Sequence, residues 1–148
     1  MAKFHYKLQS VLDIKQKLEE QEKITYGIAA AQLETEREKL QQLMIQKAGY
    51  DYQARKLVEG DVDILQINTC RKAIETMKSR VRTQMLEVHR AEKELEAVRI
   101  RLNEVMTERK TYEKLREKKL EEFKQQLLYE ENKEVDELVS YSYHNKEQ

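Results

Sequence analysis

From Ile67 to Val105, apolar residues recur at alternating steps of three and four. With position a at Ile67 and d at Cys70, the a positions are Ile67, Ile74, Val81, Val88, Leu95 and Leu102. The d positions are Cys70, Met77, Gln84, Ala91, Val98 and Val105. Eleven of these twelve are apolar, and the residues between them are mostly charged or amide. Six such heptads predict one long helix with a narrow apolar seam. A lone helix cannot bury that seam, so the rest of the chain is read as its partner, the turn that reaches it and an overhang.

The preceding half supplies the partner. Leu8, Val11, Leu12, Leu18, Ile24, Ile28, Ala31, Leu33, Leu40, Leu43, Met44, Tyr50, Ala54 and Leu57 are spaced as on a helix. Their register slips, with Lys15, Glu22, Glu36 and Lys47 near the seam, which reads as a series of stutters. Ser10 with Asp13 resembles a capping box at the helix start. Gly60, inside Val58–Asp63, can take the left-handed conformation that ends a helix. Asp63 followed by Gln66 can cap the next helix, with Asp61 as the alternative. A short loop makes the two helices antiparallel neighbours, so positions summing to about 120 should lie side by side.

The predicted fold is all-α: a long antiparallel two-helix coiled-coil hairpin turning near residues 58–63, with helix 2 longer than helix 1. It forms a single domain over 1–148, with helix 1 at about 5–58, helix 2 at about 63–139 and a frayed tail at 140–148. By the pairing rule helix 1 runs out near residue 116, leaving about 20–25 residues of helix 2 as an overhang.

Composition supports long helices over a globule. Charged residues make up 38 % and apolar ones 39 %, with no proline, no tryptophan and three glycines. A packed globule carries about 45–50 % apolar and about 25 % charged residues. The formal net charge of zero gives no reason to expect nucleic-acid binding. Cys70 is the only cysteine, so an intrachain disulfide is excluded. The N-terminal residues do not read as a secretory signal, and no run of 18 apolar residues predicts a membrane span.

No enzyme signature is present. The glycines are too scattered for a phosphate loop, and His5, His89 and His144 complete no metal-ligand spacing, so no catalytic, cofactor-binding or metal residues are assigned. Charge does segregate late in the chain. Arg109, Lys110, Lys114, Arg116, Lys118 and Lys119 face only Glu113 and Glu117. From Tyr129 onward Glu130, Glu131, Glu134, Asp136, Glu137 and Glu147 face Lys133 and Lys146. Here the a and d positions become Arg109, Tyr112, Arg116 and Lys119, and a slipped register through Leu115, Leu120, Phe123, Leu127 and Leu128 is expected to take over. A solvated helix surface with a fraying tail is one reading of these runs. A basic collar and an acidic tip that dock on partners is the other.

The opening Phe4-x-Tyr6-x-Leu8-x-x-Val11-Leu12-x-x-Lys15 resembles the start of the flagellar export protein FliJ. The run Tyr112-Glu113-Lys114-Leu115-Arg116-Glu117-Lys118-Lys119, with Phe123 and an acidic segment ending in Asp136-Glu137, looks like the matching region of Gram-positive members. The resemblance implies a non-enzymatic, cytoplasmic accessory of flagellar type III export, peripheral at the inner membrane through the export apparatus. Family members are stalk-like coiled coils that insert into the hexameric export ATPase (FliI) and promote its assembly and activity. They also contact the export gate protein FlhA and export chaperones. Carried over by position, the gate contact falls on Ala73, Met77, Arg80 and Gln84, of which Met77 and Gln84 are also d positions. The basic stretch Arg109, Lys110, Lys114, Arg116, Lys118 and Lys119, with Phe4, Tyr6 and Leu8 as apolar complement, is the expected ATPase contact. A coiled-coil chaperone or adaptor, or a structural coiled-coil dimer, is the alternative.

Overall fold

The computed structural model describes residues 2–146. Glu147, counted above in the acidic end, and Gln148 lie outside the described residues, as does the side chain of Lys146. Two helices account for nearly everything described: α1 (Gln9–Leu57, 49 residues) and α2 (Ile64–Lys146, 83 residues). Their Glu, Lys, Gln, Leu and Arg content favours helix at almost every position, and no proline interrupts it. α2 continues through Lys146, past residue 139.

Two compact units make up the chain, Gln21–Asn103 and Met1–Glu20 with Glu104–Gln148. The first contains the turn. α1 ends at Leu57, the Glu59 amide donates to the Lys56 carbonyl at 3.1 Å, and Gly60 reverses the chain at φ +93°. Asp63 caps α2: its Oδ1 accepts from the amides of Leu65 (3.0 Å) and Gln66 (3.4 Å), two donors that no preceding turn of helix can satisfy. α1 and α2 then pair antiparallel. The Cys70 thiol donates to the Tyr50 carbonyl at 3.4 Å, Gln84 meets Glu36, and Arg101 approaches Glu22 at 3.7 Å. The first two of these pairs sum to 120, as the short loop requires.

The seam of α2 lies inward at every predicted position from Ile67 to Val98 in this unit. The d residues Cys70, Met77, Ala91 and Val98 are buried, while the a residues Ile67, Ile74, Val81, Val88 and Leu95 are half-buried. With only two helices, one half of the seam is covered on both sides and the other half keeps an edge in water.

α1 departs from the sequence expectation. It has no stutters: residues 12, 15, 19, 22, 26, 29, 33, 36, 40, 43, 47, 54 and 57 are all buried or half-buried, in unbroken steps of three and four, with Tyr50 at the margin. Ile24 (65 % exposed), Ile28 (67 %) and Met44 (44 %) point outward and only mimic a slipped register. The physical reason is that Lys15, Glu19, Glu22, Glu36 and Lys47 occupy seam positions, so a pattern read from apolar residues alone loses the phase.

In the second unit the chain begins non-helically. Ser10 lies within α1 and is not its cap, since the first helical bond runs from the Leu12 amide to the Leu8 carbonyl at 3.0 Å. The Gln9 amide donates to the Tyr6 carbonyl at 3.0 Å, while the Gln9 side chain donates to Asp13 Oδ1 at 3.0 Å. Residues 2–6 carry no helix but still lie against α2, and Phe4 stacks on Phe123 with ring centroids 5.6 Å apart. Paired contact thus extends to Phe123 and is not exhausted near residue 116.

Two glycines test this backbone with opposite signs. At neither Gly27 nor Gly60 would an added Cβ meet anything within 4 Å. Gly27→Ala should stabilise the fold by about 1 kcal/mol through helix propensity. Gly60→Ala should destabilise it by about 1 kcal/mol, because only glycine takes positive φ without strain. Urea midpoints of the two variants against the parent chain read out both.

Candidate partner-docking surface

The basic stretch of α2 divides into inward and outward cations. Arg109 sits at an a position and is half-buried. Its Nη2 donates to Glu19 Oε1 at 3.3 Å, its Nε touches Glu19 Oε2, and its Nη1 donates to Glu113 Oε2 at 2.9 Å. Glu19, only 6 % exposed, is thereby neutralised inside the seam. Hydrogen bonds from Arg109 to the Glu113 and Glu19 carboxylates push its guanidinium pKa further up. Arg116, the next a residue, donates from Nε to Gln9 Oε1 at 3.0 Å and lies 5.5 Å from the centre of the Phe4 ring, within cation–π range. Tyr6, buried, donates its hydroxyl to the Tyr112 carbonyl at 3.1 Å. One turn inward, Lys15 meets Glu108 at 2.6 Å, and that hydrogen bond raises the ammonium pKa.

Arg109, Tyr112 and Arg116 therefore continue the original seam. The heptad frame persists through Arg116 because α1 and the N-terminal segment present Glu19, Gln9 and the Phe4 ring opposite the arginines. Past it the expected slip takes over in part: Lys119, the next d position, is exposed, while Leu120, Phe123 and Leu127 are half-buried and Leu115 and Leu128 stay exposed.

Lys110, Lys114 and Lys118 face outward. All three are exposed, and none makes an ion pair or hydrogen bond among the described residues. Spaced four apart, they form a stripe that winds slowly around α2. Lys119 is exposed and reaches Glu122 at 3.5 Å, and Leu8 is 40 % exposed. The structure thus places Lys110, Lys114, Lys118, Lys119 and Leu8 on the surface, whereas Phe4, Tyr6, Arg109 and Arg116 hold α2 to the N-terminal segment and α1.

A family model described as Flagellar FliJ protein matches residues 4–148. The chain belongs to the FliJ family. It is accordingly a coiled-coil protein connected with flagellar export. No curated protein and no solved structure gave a match. Among the described residues, no helix is long and apolar enough to cross a membrane, and no group of three or more His, Cys, Asp or Glu is placed to hold a metal ion.

The residues expected at the gate contact, Ala73, Met77, Arg80 and Gln84, lie in the other unit. Met77 is 4 % exposed and packs in the seam, Ala73 is half-buried and Arg80 is exposed. Gln84 donates to the Glu36 carbonyl at 3.0 Å and also to its Oε2. Glu36 additionally accepts from Gln32 at 2.9 Å and lies 3.5 Å from Lys39. This polar pair replaces one apolar layer of the seam. Sequence reading found both residues near the seam, but the pairing rule alone did not reveal that they bond.

The Gln84 hydrogen bond, assisted by Lys39, holds the Glu36 carboxyl below its ordinary 4.5 despite the opposing effect of burial. A depressed carboxyl stabilises the fold above its unfolded pKa, and that contribution is lost as pH falls below 4.5 through the folded value. Glu36→Gln should therefore lose stability near neutrality and show a flatter decline below 4.5 than the parent. Urea midpoints measured from about pH 6 to about pH 3 compare the two slopes.

Proposed function

We propose that this FliJ-family protein serves the flagellar export apparatus as a stalk-like coiled coil. It inserts into the hexameric export ATPase (FliI), promotes its assembly and turnover, and links it to the gate protein FlhA and to export chaperones. Its role is non-catalytic and is exercised in the cytoplasm, at the membrane through the apparatus it joins. Family membership supplies the setting, and the observation that carries the site is the outward stripe of Lys110, Lys114 and Lys118, without protein partners among the described residues.

Carboxylates on the ATPase are the natural counterparts of these lysines, giving speed and orientation of docking more than raw affinity. Lys119 and Leu8 extend the contact at its edge. Phe4, Tyr6, Arg109 and Arg116 act beneath it, keeping the stripe on a helix that cannot roll. For the gate, Arg80 and the exposed edge of Ala73 are the groups available for contact, with Met77 and Gln84 fixing the helix behind them.

The combined variant Lys110→Glu, Lys114→Glu, Lys118→Glu should lose stimulation of the export ATPase by about tenfold or more, equivalent to about 1.4 kcal/mol of coupling. Its circular dichroism should match the parent, because the three side chains support no internal contact. Undiminished stimulation and hexamer formation would remove the stripe from the contact.

A further inference from the structure

Beyond Phe123 and Leu127 every described residue of α2 from Leu128 to Asn145 is exposed, with no cover among the described residues. The helix there carries a second apolar stripe. At about 100° per residue, Leu128, Val135 and Val139 fall within about 40° of one another. They are 57 %, 56 % and 61 % exposed, and Leu138 and Tyr143 border them at 66 % and 68 %. This stripe does not extend the internal seam, since Leu120, Phe123 and Leu127 lie about 100° away around the helix.

Charge surrounds the stripe with one sign. Glu131 and Glu134 flank it on one side, Asp136 on the other, and Glu130 and Glu137 lie behind, against Lys133 alone. None of these carboxylates forms an ion pair among the described residues; Glu130 accepts one bond from Gln126 at 3.2 Å. Glu130 and Glu134 repel at i,i+4, as do Glu131/Glu134 and Glu134/Glu137 at i,i+3. An uncovered helix of this length is marginal in water. Pairing two copies of the segment would bury apolar surface but oppose acidic rows, so a second copy is the wrong occupant.

We propose that residues 128–143 are a docking helix for a cationic amphipathic helix of another protein, whose apolar row seats on Leu128, Val135 and Val139 while its lysines or arginines meet the flanking Glu131, Glu134 and Asp136. The partner's charge relieves the repulsion within the segment, and its apolar row supplies the cover that the chain itself lacks.

The test uses the full chain and a fluorescein-labelled peptide of about three heptads, with leucine at a and d and lysine elsewhere. A scrambled peptide of the same composition is the control. Fluorescence anisotropy should show the heptad peptide binding at least tenfold more tightly than the scrambled one. Leu128→Gln, Val135→Gln, Val139→Gln, which keeps helix-forming residues, should weaken binding at least tenfold. Glu131→Gln, Glu134→Gln should weaken it and flatten its salt dependence. Lys110→Glu, Lys114→Glu, Lys118→Glu should leave peptide binding unweakened, which separates this surface from the ATPase stripe. Equal binding of both peptides, or unaltered binding by the glutamine variants, would overturn the proposal. So would a dimer in sedimentation that the Leu128/Val135/Val139 variant dissociates, because a second copy would then be the occupant.

Discussion

Glu19 inside the seam of α1 obliges a cation to stand opposite it, and Arg109 is that cation. An apolar seam of period 3.5 is nearly indifferent to sliding by one heptad, because each layer resembles the next. A buried carboxylate is not indifferent. Displaced by one heptad toward Leu102, it would keep its desolvation cost and lose its partner, a strongly unfavourable exchange. The same logic applies at Glu36, whose carboxylate and backbone carbonyl are both taken by Gln84. Polar insertions thus set the register, while Leu12, Ala29, Leu33, Met77, Ala91 and Val98 supply most of the apolar burial.

Register in turn decides which cations remain for other molecules. A heptad places Arg109 and Arg116 inward and leaves Lys110, Lys114 and Lys118 outward. The division follows the chemistry of the two side chains. A guanidinium offers several donors in a rigid fork and lies flat on an aromatic ring, so it suits the crowded positions beside Glu19, Glu113 and Phe4. An ammonium on a flexible stem is strongly hydrated and suits exposed contacts that form and break. The basic run is therefore two sets of residues with different tasks.

Much of the fold was legible because α2 is regular: every a and d residue named from Ile67 to Val105 lies buried or half-buried. The turn was legible for local reasons, Gly60 for its φ and Asp63 for its capping oxygen. α1 was less so, because five of its seam residues are charged and its outward face carries Ile24, Ile28 and Met44. A reading weighted by hydrophobicity follows those decoys. The missing signal was reciprocity of charge: Glu19 and Glu22 near the seam of one helix, and Arg109 and Arg101 on the other. The inward turn of Phe4 and Tyr6 was hidden for another reason. Five alternating residues do not announce that a non-helical segment will lie back along a helix.

That segment also determines where self-coverage stops. Phe4 packs on Phe123, so the residues ahead of α1 carry self-coverage of α2 that far. Past that point the sequence changes strategy as well as sign. The inward seam gives way to Glu130, Glu131 and Glu134, and a new apolar row begins on a different face at Leu128. Were the later residues only a fraying end, no selection of side chains by face would be required. Leu128, Val135 and Val139 aligned on one side, with carboxylates excluded from that line, is the arrangement of a helix with a binding face. Its charge specifies the complement: cationic, helical and contributed by another chain.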